Sequence, residues 1–354
     1  MMLPTKAIFA ILSLANFPIA TRGEGKDPII KVSFGESAAS YRGKTSGAID
    51  HFQNIKYGHD TSGSRRFTPP EPYIPDNGDE IDATQPGPAC AQMGEAIPPF
   101  FSETPEIKED CLNLRIARPA GTKEDDKLPV AVWVSSGGLI KGQANDEHAD
   151  PEKLLTLSTE IGNPVIWVSF NFRMNIFGFA RLPLLKEQKS LNNGLRDQRV
   201  AIQWVKDHIE AFGGDPEKIT AYGMSAGGTT TTLQLVSYDG EKGVPFTQIW
   251  TMSGPPGTAI NMSSEATETH TRAVAERLNC KKEDDEKILQ CLRDVPMEEL
   301  LTVAMEYSRE NFPPVGGFTF IPSVDGDYFT ERQSALYRAG KFVKGTHTFQ
   351  TCIH

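Results

Sequence analysis

A chain of 354 residues with 38% hydrophobic and 23% charged residues is long enough to bury one large core and has the balance of a soluble globular protein. Its net charge of −10, with no basic run, argues against nucleic acid or an anionic membrane surface as a partner. No internal repeat, phosphate-binding loop or metal-spaced His/Cys cluster is present, so neither metal nor cofactor is expected.

The N-terminus has Lys6, an apolar stretch over 7–15 and small residues through Ala20, which reads as a secretory signal peptide over residues 1–21. The stretch is too short to span a bilayer and lacks the amphipathic period of a buried helix. Export to the extracellular space is expected, with cleavage near Ala20 or Thr21 and no transmembrane segment. Residues 29–34 and 48–57 alternate as strands of an antiparallel ribbon. Residues 130–134 and 164–170 are nearly continuous apolar, β-branched runs, the pattern of parallel strands covered on both faces. Between 197 and 212, Val200, Ala201, Trp204, Val205, His208, Ile209 and Phe212 fall at helical spacing, and Gly213-Gly214 ends the helix. His208 lies on that apolar stripe and reads as a packed structural histidine.

Residues 219–228 read Ile-Thr-Ala-Tyr-Gly-Met-Ser-Ala-Gly-Gly, a short strand entering a Gly-x-Ser-x-Gly turn that opens a helix. Gly223 and Gly227 allow a strained turn that lifts the Ser225 hydroxyl clear of the sheet, which makes Ser225 the candidate nucleophile. A further strand is expected over 248–253, then helices over 265–279 and 284–293 with solvated charged faces. Five cysteines in an exported chain suggest two bridges and one left over. Pairing neighbours, Cys90 with Cys111 and Cys280 with Cys291, closes two local loops and leaves Cys352. Asn261-Met262-Ser263 is an N-glycosylation sequon.

Several segments together resemble the type-B carboxylesterase/lipase family, the cholinesterase-like α/β-hydrolases, and most closely its secreted fungal members. They are Glu109-Asp110-Cys111-Leu112-Asn113-Leu114, the strand and glycine run over 128–138, and residues 169–178, 193–199, 212–216, 224–238 and 246–259. The resemblance implies an α/β-hydrolase fold, with a mostly parallel central sheet flanked by helices. It implies a carboxylic ester hydrolase acting on a small-molecule or lipid ester through an acyl-enzyme on Ser225. The backbone N–H groups of Gly137, Gly138 and Ala226 match the family's oxyanion hole, where each donor can be worth roughly 3 kcal/mol. The cysteine pairing above matches the family's two local disulfides.

The chain departs from the family in three places near this site. Ser135 and Ser136 replace an aromatic residue or His followed by Gly, and Met224 stands where an acidic residue is usual. The loop between Cys90 and Cys111 has Phe100 and Phe101 but no Trp, so the cation–π platform of choline-binding relatives is missing. The fold supplies its triad in the order Ser, Asp or Glu, His, and the acid and base belong well after the nucleophile. Residues 22–345 read as a partial hydrolase domain and 346–354 as an aberrant tail, lacking the C-terminal strands and helices that carry acid and base. None of His51, His59, His148, His270, His347 or His354 occupies the position of the family base. The alternative reading is therefore a non-catalytic cholinesterase-like fragment or binding module.

Overall fold

The computed structural model describes residues 27–135, 137–254, 262, 265–280, 284–345 and 348–350. The signal segment, Ser136, Asn261, His347, Cys352 and His354 lie outside them.

The architecture is organised by a central sheet of eight strands: β1 (Lys44–Ser46), β2 (Ile49–Lys56), β3 (Asn113–Pro119), β4 (Leu128–Val134), β5 (Ile166–Phe170), β6 (Gly214–Met224), β7 (Gln248–Met252) and β8 (Thr348–Gln350). Across the sheet the order is β1-β2-β3-β5-β4-β6-β7-β8. The first three strands and β5 pair antiparallel, whereas β4 pairs parallel with both β5 and β6, and β7 and β8 continue in the same sense. The apolar runs predicted to be parallel strands are β4 and β5, at the centre. Of the residues expected to form an aberrant tail, 348–350 pair with Trp250 to Met252 of β7. A separate small sheet joins Ile29–Phe34, Ser37–Arg42 and Glu80–Asp82.

Six longer helices accompany the sheet: α1 (Glu152–Glu160), α2 (Asn193–His208), α3 (Ala226–Gln234), α4 (Ala266–Arg277), α5 (Asp285–Asp294) and α6 (Met297–Asn311). Side chains alternate between the faces of a strand. Val130, Val132 and Val134 of β4, with Ile219, Ala221 and Ile249, therefore point to one face, where they form a core with Trp204 and Val205 of α2. Trp133, Tyr222 and Trp250 point to the other. The helix α6 was not among the sequence expectations, although Leu300, Leu301, Ala304, Met305 and Ser308 are buried at helical spacing behind Pro296.

Two sequence motifs turn out to be structural anchors. The acid of the 109–114 motif, Glu109, forms a buried bidentate pair with Arg66, whose guanidinium also donates to the Leu292 and Val295 carbonyls at 2.7 and 2.6 Å. Asp197 pairs with Arg173 at 2.7 Å, both buried, and so ties the 169–178 segment to α2. Cys90–Cys111 and Cys280–Cys291 are bonded. Peptide mass mapping without reductant should recover both links, each worth about 3 kcal/mol against the unfolded chain; finding these four thiols free in secreted protein would contradict the bridges.

His208 packs between Phe34 and Trp204, with ring centroids 4.4 and 5.0 Å away. His270, on the helix expected over 265–279, is half-buried, with Nδ1 2.8 Å from the Tyr307 hydroxyl and Phe312 and Phe320 against its ring. Burial holds both imidazoles below the ordinary 6.5. The folded chain thus binds these protons more weakly than the unfolded chain does. Neither histidine costs stability above about pH 6.5, and both cost it increasingly as the pH falls from there through the lower folded values. Melting temperature should drop between about pH 7.5 and 5.5, with a shallower pH slope in His208→Phe; an unchanged slope would remove His208 from this account.

Candidate active site

Strand β6 delivers the chain to Ser225, which takes φ 54° and ψ −125° immediately before α3. A non-glycine residue at positive φ costs of order 1–3 kcal/mol and persists only where its surroundings enforce it. Here they do. The Ser225 N–H donates to the Met252 carbonyl at 2.9 Å, and its carbonyl accepts from the Thr229 N–H at 2.9 Å. The turn closes only because its neighbours lack side chains: a Cβ at Gly223 would lie 2.7 Å from the Gly227 carbonyl carbon, and one at Gly254 2.4 Å from the Ser225 oxygen. The result is an exposed serine whose Oγ has no hydrogen-bond partner among the described residues.

The loop after β4 supplies the facing wall. Gly138 and Leu139 adopt φ of 58° and 61°, and the Gly138 carbonyl accepts from Phe318 N–H at 2.8 Å. Among the described residues, the Gly138 and Ala226 N–H groups have no acceptor. Gly137, expected as a third donor, is engaged: its N–H donates to the Lys141 carbonyl at 2.6 Å across a tight turn. The turn is favoured because Phe101 packs against Gly137, where a Cβ would come within 2.5 Å of the ring.

Sequence reasoning missed the groups that hold this loop. Lys141 is fully buried, and its ammonium donates to the Met93 carbonyl at 2.9 Å and Thr104 Oγ1 at 2.7 Å. Burial lowers its pKa. Gln92 exchanges two 2.9 Å hydrogen bonds with the Gly142 backbone, and Asn175 takes the Leu139 carbonyl with its N–H and the Ala91 carbonyl with Nδ2, both at 2.8 Å. These residues stitch the Cys90–Cys111 loop to the glycine loop. No spacing in the sequence signals them, since each partner is distant along the chain.

Two apolar cavities flank the loop and share Phe101. One, of about 590 Å³, is bounded by Gly137, Gly138, Ile140, Phe312, Val315 and Phe318. The other, of about 340 Å³, is bounded by Phe100, Trp133, Ser135, His148, Tyr222 and Met224. Met224, in the usual place of an acid, leaves the floor of the second cavity apolar. His148 is the histidine bounding either cavity; its Nδ1 is 3.8 Å from buried Asp146. His51 is 3.2 Å from an Arg115 nitrogen, and His59 packs edge-on against Tyr73. Asp325 and Asp327 bind Asn192 and Arg196 and cap a turn.

The carboxylesterase family model matches residues 26–351. The chain belongs to this family. It is 39% identical over 313 residues to an inactive carboxylesterase-like protein of Byssochlamys spectabilis, covering 86% of this chain and 53% of that protein. To a secreted lipase of Arthroderma benhamiae it is 36% identical over 323 residues, covering 88% and 55%. A solved thermophilic pNB esterase superposes with a TM-score of 0.76 at 28% identity, over 91% of this chain and 62% of that one. The central sheet and its helices are those of the α/β-hydrolase fold. This carboxylesterase-family chain spans about half the length of the curated relatives it matches. No helix among its described residues is long and apolar enough to cross a membrane.

Proposed function

We propose that this chain carries the nucleophile and oxyanion-binding part of a secreted carboxylic ester hydrolase that forms an acyl-enzyme on Ser225. The observation that carries the reading is the exposed Ser225 in an enforced positive-φ turn, on a strand and helix whose N-terminal N–H groups are unspent. Attack by Oγ on an ester carbonyl places negative charge on the former carbonyl oxygen, which the N–H groups of Ala226 and Gly138 would receive. Gly137 becomes a third donor when its bond to Lys141 opens. The apolar cavity bounded by Gly137, Gly138, Phe312 and Phe318 suits an apolar group of the ester next to these donors. Residues 1–21 as a signal peptide, 22–345 as the hydrolase domain and Asn261 as a glycosylation site complete the proposal. Two relatives whose names include secretion and lipase activity support it.

The second reading, a non-catalytic cholinesterase-like protein, is favoured by the unpartnered Ser225 Oγ and by the relative named inactive. An active-site-directed fluorophosphonate separates the two. Labelling of Ser225, located by peptide mapping, supports the first reading. Absence of label, in the chain joined to a family member's remaining sequence, supports the second.

A further inference from the structure

The helix behind the nucleophile, α3, opens with residues that favour a helix poorly. Ala226 is followed by Gly227-Gly228 and then by four threonines, Thr229 to Thr232, and both residue types rank low in helix propensity. Packing requires the glycines. A Cβ at Gly228 would lie 2.9 Å from the Gly223 carbonyl oxygen, as close an approach as the one that demands glycine at 223 itself. The first turn of α3, which carries the Ala226 N–H, is therefore held by something other than propensity.

The threonine hydroxyls hold it. All four threonines are buried, and each hydroxyl donates to a backbone carbonyl of the preceding turn. Thr230 and Thr231 reach the Gly227 carbonyl at 3.0 and 2.7 Å, and Thr232 the Thr229 carbonyl at 2.7 Å. Thr229 Oγ1 donates to the Ser225 carbonyl at 3.2 Å, where the Thr229 N–H also donates at 2.9 Å. Gly254 packs against the same oxygen, since a Cβ there would lie 2.4 Å from it. The Ser225 carbonyl and the Ala226 N–H are the two ends of one planar trans peptide unit, so they point in opposite directions. Whatever fixes the carbonyl thus aims the N–H.

We propose that Thr229 is a positioning residue for ester hydrolysis: its hydroxyl and its N–H clamp the Ser225 carbonyl, and so keep the Ala226 N–H aimed at the oxygen that takes up charge during attack by Ser225. Direction matters because a hydrogen bond weakens steeply as it departs from linearity, so a donor that tilts loses strength without being removed. The clamp is particular to Thr229. Satisfying a buried hydroxyl and bracing the helix are roles that all four threonines share, but of the four hydroxyls Thr229 Oγ1 is the one that bonds the peptide unit carrying the donor. The inference rests on the acyl-enzyme reading for its effect on rate, and on the geometry of the Ser225–Ala226 unit for the clamp itself.

Two measurements test it. In the 354-residue chain, the residual dipolar coupling of the Ala226 N–H, which reports the direction and spread of that bond, should depart from the parent value in Thr229→Val and keep it in Thr229→Ser and Thr232→Val. In this chain joined to the remaining sequence of the Arthroderma benhamiae lipase, Thr229→Val should lower kcat for p-nitrophenyl esters about 10-fold with KM within about two-fold, because outright loss of an oxyanion donor costs about 10²–10³ and here the donor is loosened rather than lost. Thr229→Ser should restore kcat. Thr232→Val, which loses an equivalent buried bond of the same helix, should lower the melting temperature and keep kcat. Should Thr229→Val fail to fold, Thr229→Ala removes the same hydroxyl and is read the same way. An unchanged Ala226 coupling in Thr229→Val overturns the proposal, as does an equal fall of kcat in Thr229→Val and Thr232→Val. Full turnover in Ser225→Ala would sink the acyl-enzyme reading instead, and the coupling alone then decides whether Thr229 holds the peptide unit.

Discussion

Ser225→Ala should reduce turnover of short-chain p-nitrophenyl esters by about 10⁴- to 10⁶-fold, measured in this chain joined to the remaining sequence of a family member. On the proposed acyl-enzyme reading, losing the nucleophile removes that route entirely, and what would remain is the effect of bound substrate facing the Gly138 and Ala226 donors. The backbone geometry supplies a control. At φ 54° alanine is strained as serine is, so Ser225→Ala should fold with nearly unchanged stability. Ser225→Gly should relieve the turn and raise stability by about 1 kcal/mol, with the same loss of turnover. Calorimetry and kinetics on the two variants separate strain from chemistry. Ester turnover that survives in both would place the nucleophile elsewhere.

The 354-residue chain by itself should show ester hydrolysis smaller by orders of magnitude than the joined protein. A serine hydroxyl with no base to take its proton is a poor nucleophile near neutral pH, and Ser225 Oγ has no partner among the described residues. A residual rate of roughly 10³-fold over water is compatible with an oxyanion hole acting alone. The comparison is made at equal protein concentration, with Ser225→Ala subtracted from each. Equal Ser225-dependent rates would overturn the expectation and turn attention to His148, which shares a cavity with Met224 and stands beside Asp146. His148→Asn, inactive in the short chain and harmless in the joined one, would then identify it as a substitute base.

Sequence alone determined the features that depend on near neighbours along the chain. The alternation and apolar runs marking β4 and β5, the helical stripe of α2, and the small residues around Ser225 express the local periods of backbone structure. The motif at 109–114 was equally visible, but its acid gave no hint of Arg66, 43 residues away. Tertiary structure decided the rest. Whether Gly137 faces substrate or Lys141 depends on Phe101 pressing from a separate loop. Lys141, Gln92 and Asn175 became loop anchors only when folding brought their distant acceptors within reach. His270, on a helix whose charged faces read as solvated, is half-buried because α6 lies against α4. In each case the local sequence fixes what a residue can do, while burial and the arrival of remote partners decide what it does, because hydrogen bonds and desolvation depend on neighbours in space.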